Sequence, residues 1–231
     1  MQIETRAPTR RAFLAGSAAA TGALALGGCQ SLGGLGGFGL VDAVRELLTL
    51  SAQTAFSKLT APGGFWDSQV ARIAVPDLFG NRGGGLIQNV LTSGLFRSQL
   101  QRQLNGFAER GAERAAPVVL DTIRAISLAD ALGLLRGGPS AATQYLRGRM
   151  GSALINAMVP GLADAMRVAN DPILSQALSA LSGVNLGQIA QSVAVEADNS
   201  IWAQMGVEEA AIRANPESTR NPALIAALKV L

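Results

Sequence analysis

The chain has 231 residues, with 19 Lys and Arg against 16 Asp and Glu, one cysteine and no histidine. Lack of histidine excludes the usual general base, the Ser-His-Asp triad and most transition-metal sites, and one cysteine excludes an intrachain disulfide or a zinc finger. No basic cluster interleaves with aromatics, so no nucleic-acid partner is expected.

The first forty residues read as an address. Thr9-Arg10-Arg11-Ala12-Phe13-Leu14 closes a basic stretch, an apolar small-residue run extends from Ala12 to Gly28, and Leu26-Gly27-Gly28-Cys29 ends it. Arg10 and Arg11 followed by Phe13 and Leu14 resemble a twin-arginine export signal. The last four residues resemble a bacterial lipobox, whose cysteine receives a diacylglyceryl group and becomes the mature N-terminus. The run of about 17 residues, rich in Ala and Gly, is poor material for a bilayer span, which wants about 20 strongly apolar residues. The expected organisation is a cleaved export signal over 1–28, a Gly-rich tether over 29–39 starting from lipidated Cys29, and a domain over 40–231. A single acyl chain binds membranes marginally, whereas several on one cysteine hold a protein there. Gln30 stands where an Asp favours inner-membrane retention, so the periplasmic face of the outer membrane is the expected location. Arg6, Arg10, Arg11 and Glu4 lie in the signal, so the remaining 203 residues carry 16 basic and 15 acidic side chains, a net charge of +1.

Beyond the tether the pattern is helical. Val41, Val44, Leu48, Ala52, Ala55, Phe56 and Leu59 form an apolar stripe opposite Asp42, Arg45, Glu46, Gln53 and Lys58, which predicts a helix over 41–60. Pro62, Gly63 and Gly64 break it. Arg72–Pro76 reads as a short extended link, because Pro76 biases Val75 away from helix, and the pattern resumes near Leu78. Leu100, Leu104, Phe107, Gly111 and Ala115 mark a helix expected to end at Pro117. Ser127 and Asp130 form the cap of a short helix that stops at Gly137-Gly138. A long helix is expected from Ser140 to about Met158, bounded by Pro160, with a core stretch over 150–163. Asp171-Pro172 opens a short one. Asn185 begins a helix burying Leu186, Ile189, Val193, Ala197 and Trp202, and Asn221-Pro222 begins the last. The expected fold is all-α: a single-domain multi-helix bundle, with at most a short extended link near 72–76.

Three segments carry a family resemblance: "GGFWDSQVARIAVP", "LRGGPSAATQYLR" and "EEAAIRANPESTR". Together they resemble the bacterial domain of unknown function 4197 family, over roughly residues 40–231. The resemblance implies an exported helical domain and brings no established activity. Pro139-Ser140 stand where acidic residues are common in the family pattern, which weighs against a cation site in that loop.

The segment 137–149 holds the ligand-site candidates Thr143, Gln144, Tyr145 and Arg147, since a glycine-rich turn entering a helix offers N–H groups to an anion. The competing reading is a helix junction with Gly137-Gly138 ending one helix, Ser140 capping the next and Tyr145 largely buried. Glu109 and Glu113, flanked by Arg110 and Arg114, read as a solvated face, and Glu208-Glu209 with Arg213 as an i,i+4 ion pair worth a few tenths of a kcal/mol. No catalytic, cofactor or metal site is expected. The expected role is a membrane-tethered lipoprotein, held through acylated Cys29, that binds an envelope protein or a lipid without catalysis. The alternative is a hydrolase or transferase acting on envelope material through carboxylates or Ser/Thr.

Overall fold

A computed structural model of the chain describes residues 39–75, 93–125, 127, 131–168, 172, 175 and 185–230. The export-signal residues Arg10, Arg11, Phe13 and Leu14, the lipidation candidate Cys29, and the tether up to residue 38 lie outside the described residues. So do Pro76, Leu78, Asp130 and Asp171.

Among the described residues eight α-helices and one 3-10 turn have defined bounds, and there is no strand: the fold is all-α. In chain order these are α1 (Leu40–Leu59), α2 (Gly64–Asp67), α3 (Gly94–Ala125), α4 (Ala131–Arg136), α5 (Ala141–Met150), α6 (Ala153–Val168), α7 (Leu186–Ala214), the 3-10 turn Pro216–Thr219 and α8 (Pro222–Val230). The long helices α1, α3, α6 and α7 pack in a ring, α1 on α3, α3 on α6, α6 on α7 and α7 on α1, with the short helices laid against them. The shared core holds Leu47 and Leu48 from α1, Leu100 and Leu104 from α3, Leu154, Met158 and Leu162 from α6, and Val193, Ile201 and Met205 from α7. Alanines at 52, 55, 108, 112, 190, 194 and 197 are also buried and keep the interhelical surfaces flat. None of the described helices is long and apolar enough to cross a membrane.

Local signals set several boundaries as expected. Asn185 caps α7 through a reciprocal pair: its Oδ1 accepts the Gln188 N–H at 3.0 Å, and the Gln188 side chain accepts the Asn185 N–H at 3.0 Å. Asn221 Oδ1 accepts from the Ala223 and Leu224 N–H groups at 3.1 Å each, with Pro222 in the first turn of α8.

Two expected proline stops are overridden. Pro117 lies inside α3 and Pro160 inside α6. An interior proline removes one helical hydrogen bond and costs about 3 kcal/mol. Here both prolines, and the residues four before them (Glu113 and Asn156) whose carbonyls lose a donor, are solvent-exposed, so water can take the bond. Burial of Val119 and Ile123 beyond Pro117, and of Leu162 and Met166 beyond Pro160, carries each helix through. The long helix expected from Ser140 to Met158 is instead two helices. They divide at Gly151, whose φ of 53° and ψ of −122° terminate α5, a conformation glycine adopts without a Cβ clash.

Candidate functional site

The segment 137–149 is the point where α4, α5 and α7 are joined. The C-terminus of α4 presents the Leu134 and Leu135 carbonyls, which accept from Arg213 at 2.8 and 2.7 Å. The N-terminus of α5 presents the Ala142 and Thr143 N–H groups, which donate to the Glu209 carboxylate at 3.0 and 2.7 Å. Glu209 and Arg213 close the circuit with contacts of 2.8 and 2.7 Å. A helix N-terminus carries partial positive charge and a C-terminus partial negative charge, so carboxylate and guanidinium each face the complementary end. The Glu209 side chain is fully buried and that of Arg213 is 12 % exposed, so the i,i+4 pair read from the sequence is a buried one within α7, and each member also bonds a second helix. Ser140 is the N-cap residue of α5 but makes no cap bond. Its φ of −129° and ψ of 27° lie outside the extended geometry that capping needs, and its hydroxyl accepts from Gln144 at 2.9 Å instead.

The four candidates in α5 do not converge. Thr143 is buried, with its hydroxyl oxygen lacking a partner among the described residues, and Gln144 is exposed. Tyr145 is half-buried rather than largely buried, and its hydroxyl donates to the Ser127 carbonyl at 3.0 Å. Arg147 reaches α7, donating to Asp198 at 3.3 Å and Asn199 at 2.5 Å. Asp198 also accepts from the buried Trp202 indole at 2.8 Å. Burial raises the Asp198 carboxyl above its ordinary value of 3.8, against the bond from Trp202 and the attraction of Arg147. A helix points successive residues in different directions, and these four contact different neighbours.

A second group of polar residues surrounds the turn after α1. Gly63 adopts φ +80°, and a Cβ on Gly64 would fall 2.2 Å from the Lys58 carbonyl oxygen, so two glycines let the turn fold directly onto the end of α1. Two shallow clefts flank Pro62. One, of about 260 Å³, is lined by Thr60, Gln103, Glu109, Arg110 and Glu113, among others. The other, of about 380 Å³, is lined by Lys58, Asp67, Ser68 and Gln204 among others. Neither includes the 143–147 candidates.

Chemistry around these clefts is largely committed to holding helices. Glu208, buried on α7, accepts from Lys58 of α1 at 2.6 Å and from Gln204 at 2.5 Å. Glu109 is half-buried and takes hydrogen bonds from the Phe65 and Gly63 backbone, so it is more than a solvated carboxylate. Burial raises its carboxyl above the ordinary 4.5, while those backbone bonds and Arg110 pull it down and Asp67 pushes it up. No group of three or more carboxylate or sulfur ligands fit for a metal occurs among the described residues.

The family described as "Protein of unknown function (DUF4197)" matches residues 35–228. The chain belongs to this family. No curated protein and no solved structure matches it. Two of the segments that carried the resemblance, 135–147 and 208–220, meet through Glu209, Arg213, Ala142 and Thr143, and in this DUF4197 chain they build one junction. In the third, the Ile73 N–H donates to Asn105 Oδ1 at 2.9 Å. The Ile73 carbonyl accepts from Asn105 Nδ2 at 2.9 Å and from Gln101 at 2.8 Å. Asn105 is fully buried, and it pairs with an extended segment as a neighbouring strand would. The sequence signal for it was a polar residue between Leu104 and Phe107 on an apolar face.

Proposed function

We propose that this chain is an exported bacterial lipoprotein, acylated on Cys29 and tethered at the periplasmic face of the outer membrane, whose helical domain binds an envelope protein or a lipid rather than catalysing a reaction. Supporting the anchor is the order Arg10-Arg11, apolar run, Leu26-Gly27-Gly28-Cys29. The observation that carries the binding role is how the domain uses its buried charges: Glu208, Glu209, Asp198 and Arg213 each fasten one helix to another. What the described residues leave for an outside molecule is an open surface with shallow clefts, the anatomy of an interaction module.

Labelling with a fatty-acid probe tests the anchor. Wild-type protein incorporates label and sediments with membranes, whereas Cys29→Ser incorporates none and is released or left unprocessed. Equal labelling and membrane recovery of the two would refute the tether. Native purification from membranes, followed by mass spectrometry for co-purifying lipid or protein, tests the binding role.

Glu109 favours a second reading, a carboxylate-dependent hydrolase or transferase acting on envelope material. Its raised carboxyl lines a cleft near Asp67, a combination suited to proton transfer. Hydrolysis of an envelope polymer by wild type, lost in Glu109→Gln, would establish that reading.

A further inference from the structure

We propose that Trp66, Arg72 and Arg102 form a surface for the phosphate of anionic lipid headgroups, the face by which the tethered domain lies on its membrane. This deepens the membrane-tethered role above and rests on it.

Three elements converge there. Trp66 lies on α2, Arg72 in the extended link and Arg102 on α3. The Arg72 guanidinium carbon stands 5.0 Å from the indole centroid and that of Arg102 4.8 Å. The placement is built rather than incidental. Ser68 accepts the Val70 and Ala71 N–H groups at 3.2 and 2.9 Å, turning the chain, and Asn105 and Gln101 then hold Ile73 against α3. Arg72 Nε donates to the Trp66 carbonyl, which fixes the guanidinium and leaves its terminal nitrogens open among the described residues.

Two cations on one ring repel each other, and neither has a carboxylate partner among the described residues. Seven other arginines and lysines place their charge on carboxylates of the chain, Glu208, Asp198 and Glu209 among them, whereas these two share one indole ring. A phosphate supplies the missing charge and matches the guanidinium fork. The surroundings select a lipid as its source. Val70, between Trp66 and Arg72, is 47 % exposed, and Leu95, two turns before Arg102 on the same face of α3, is 81 % exposed. Aliphatic tips beside an indole and two arginines match the headgroup boundary, where rings and cations sit at the interface and apolar tips enter it.

The two tryptophans provide the test, because Trp202 is 3 % exposed in the core and a water-borne quencher reads Trp66. The full chain carrying Cys29→Ser, which removes the acyl anchor, is mixed with vesicles of phosphatidylcholine or of phosphatidylcholine with phosphatidylglycerol, and acrylamide quenching is measured. Quenching should fall with the anionic vesicles and stay unchanged with the neutral ones or with inorganic phosphate. Added Arg72→Ala and Arg102→Ala should weaken the Trp66-protecting partition about thirtyfold, roughly fivefold per arginine, while the melt stays near that of the parent. Arg102→Glu, on an exposed helix face, gives the same answer should the double variant fold poorly. Arg149→Ala is the control and changes nothing. Undiminished protection in the arginine variants, equal protection by neutral vesicles, or protection by inorganic phosphate would each overturn the proposal. Acylation of Cys29 is measured separately, so failure of the tether and failure of this surface are told apart.

Discussion

Replacing Glu209 with alanine removes the acceptor of four contacts at once: Ala142 and Thr143 N–H at 3.0 and 2.7 Å, and Arg213 at 2.8 and 2.7 Å. Loss of an N-cap acceptor costs about 1 kcal/mol. Stranding one member of a buried ion pair costs about 3–5 kcal/mol, and Arg213 would keep the Leu134 and Leu135 carbonyls, which places it near the lower end. The expected loss is therefore about 4 kcal/mol, a large part of the roughly 5–15 kcal/mol by which domains are stable. At about 2–4 °C per kcal/mol for this size, the melting temperature should fall by about 8–16 °C. Differential scanning calorimetry of Glu209→Ala, Arg213→Ala and the double variant measures both the loss and the coupling. The double variant should lose at least about 1 kcal/mol less than the sum of the singles, since the second change removes the group that the first left unpaired. A Glu209→Ala melt within about 3 °C of wild type, or strict additivity, would refute the junction as the fastening of α4 and α5 to α7.

Three further outcomes are expected. Glu109 and Asp198 both have carboxyls raised by burial, so the folded chain holds more protons than the unfolded one just above their ordinary values of 4.5 and 3.8. Stability therefore falls as pH rises through that window, and Glu109→Gln with Asp198→Asn should flatten the fall in denaturant titrations; an unchanged slope would count against both burials. Gly64→Ala should prevent the turn from closing on Lys58 and lower the melt, whereas Gly106→Ala, with nothing within 4 Å of the added methyl inside α3, should raise stability by about 0.5–1 kcal/mol; melts of the two moving the same way would refute this. Tyr145→Phe should lose about 1 kcal/mol with its bond to Ser127, and Tyr145→Ala about 2 kcal/mol, less than full burial would give; a wild-type melt for Tyr145→Ala would show that the ring packs on nothing of consequence.

The helix-rich fold could be read from the sequence because its signals are local. The stripe of Val44, Leu48, Ala52 and Leu59 repeats at helical spacing, and the caps at Asn185–Gln188 and Asn221–Leu224 need only neighbours three residues away. Local rules failed where packing outweighed them. Pro117 and Pro160 read as stops, yet burial of Val119, Ile123 and Leu162 continues both helices, and the break falls at Gly151 instead. The site-level relations were hidden for the same reason. Glu209 lies 67 residues from Ala142, Lys58 lies 150 from Glu208, and Asn105 lies 32 from Ile73. Spacing within one helix shows Glu209 and Arg213 as an ordinary i,i+4 pair. Only the packing of α5 across α7 buries them, and it turns a pair worth a few tenths of a kcal/mol into the joint of three helices, because desolvation makes each unmade contact costly.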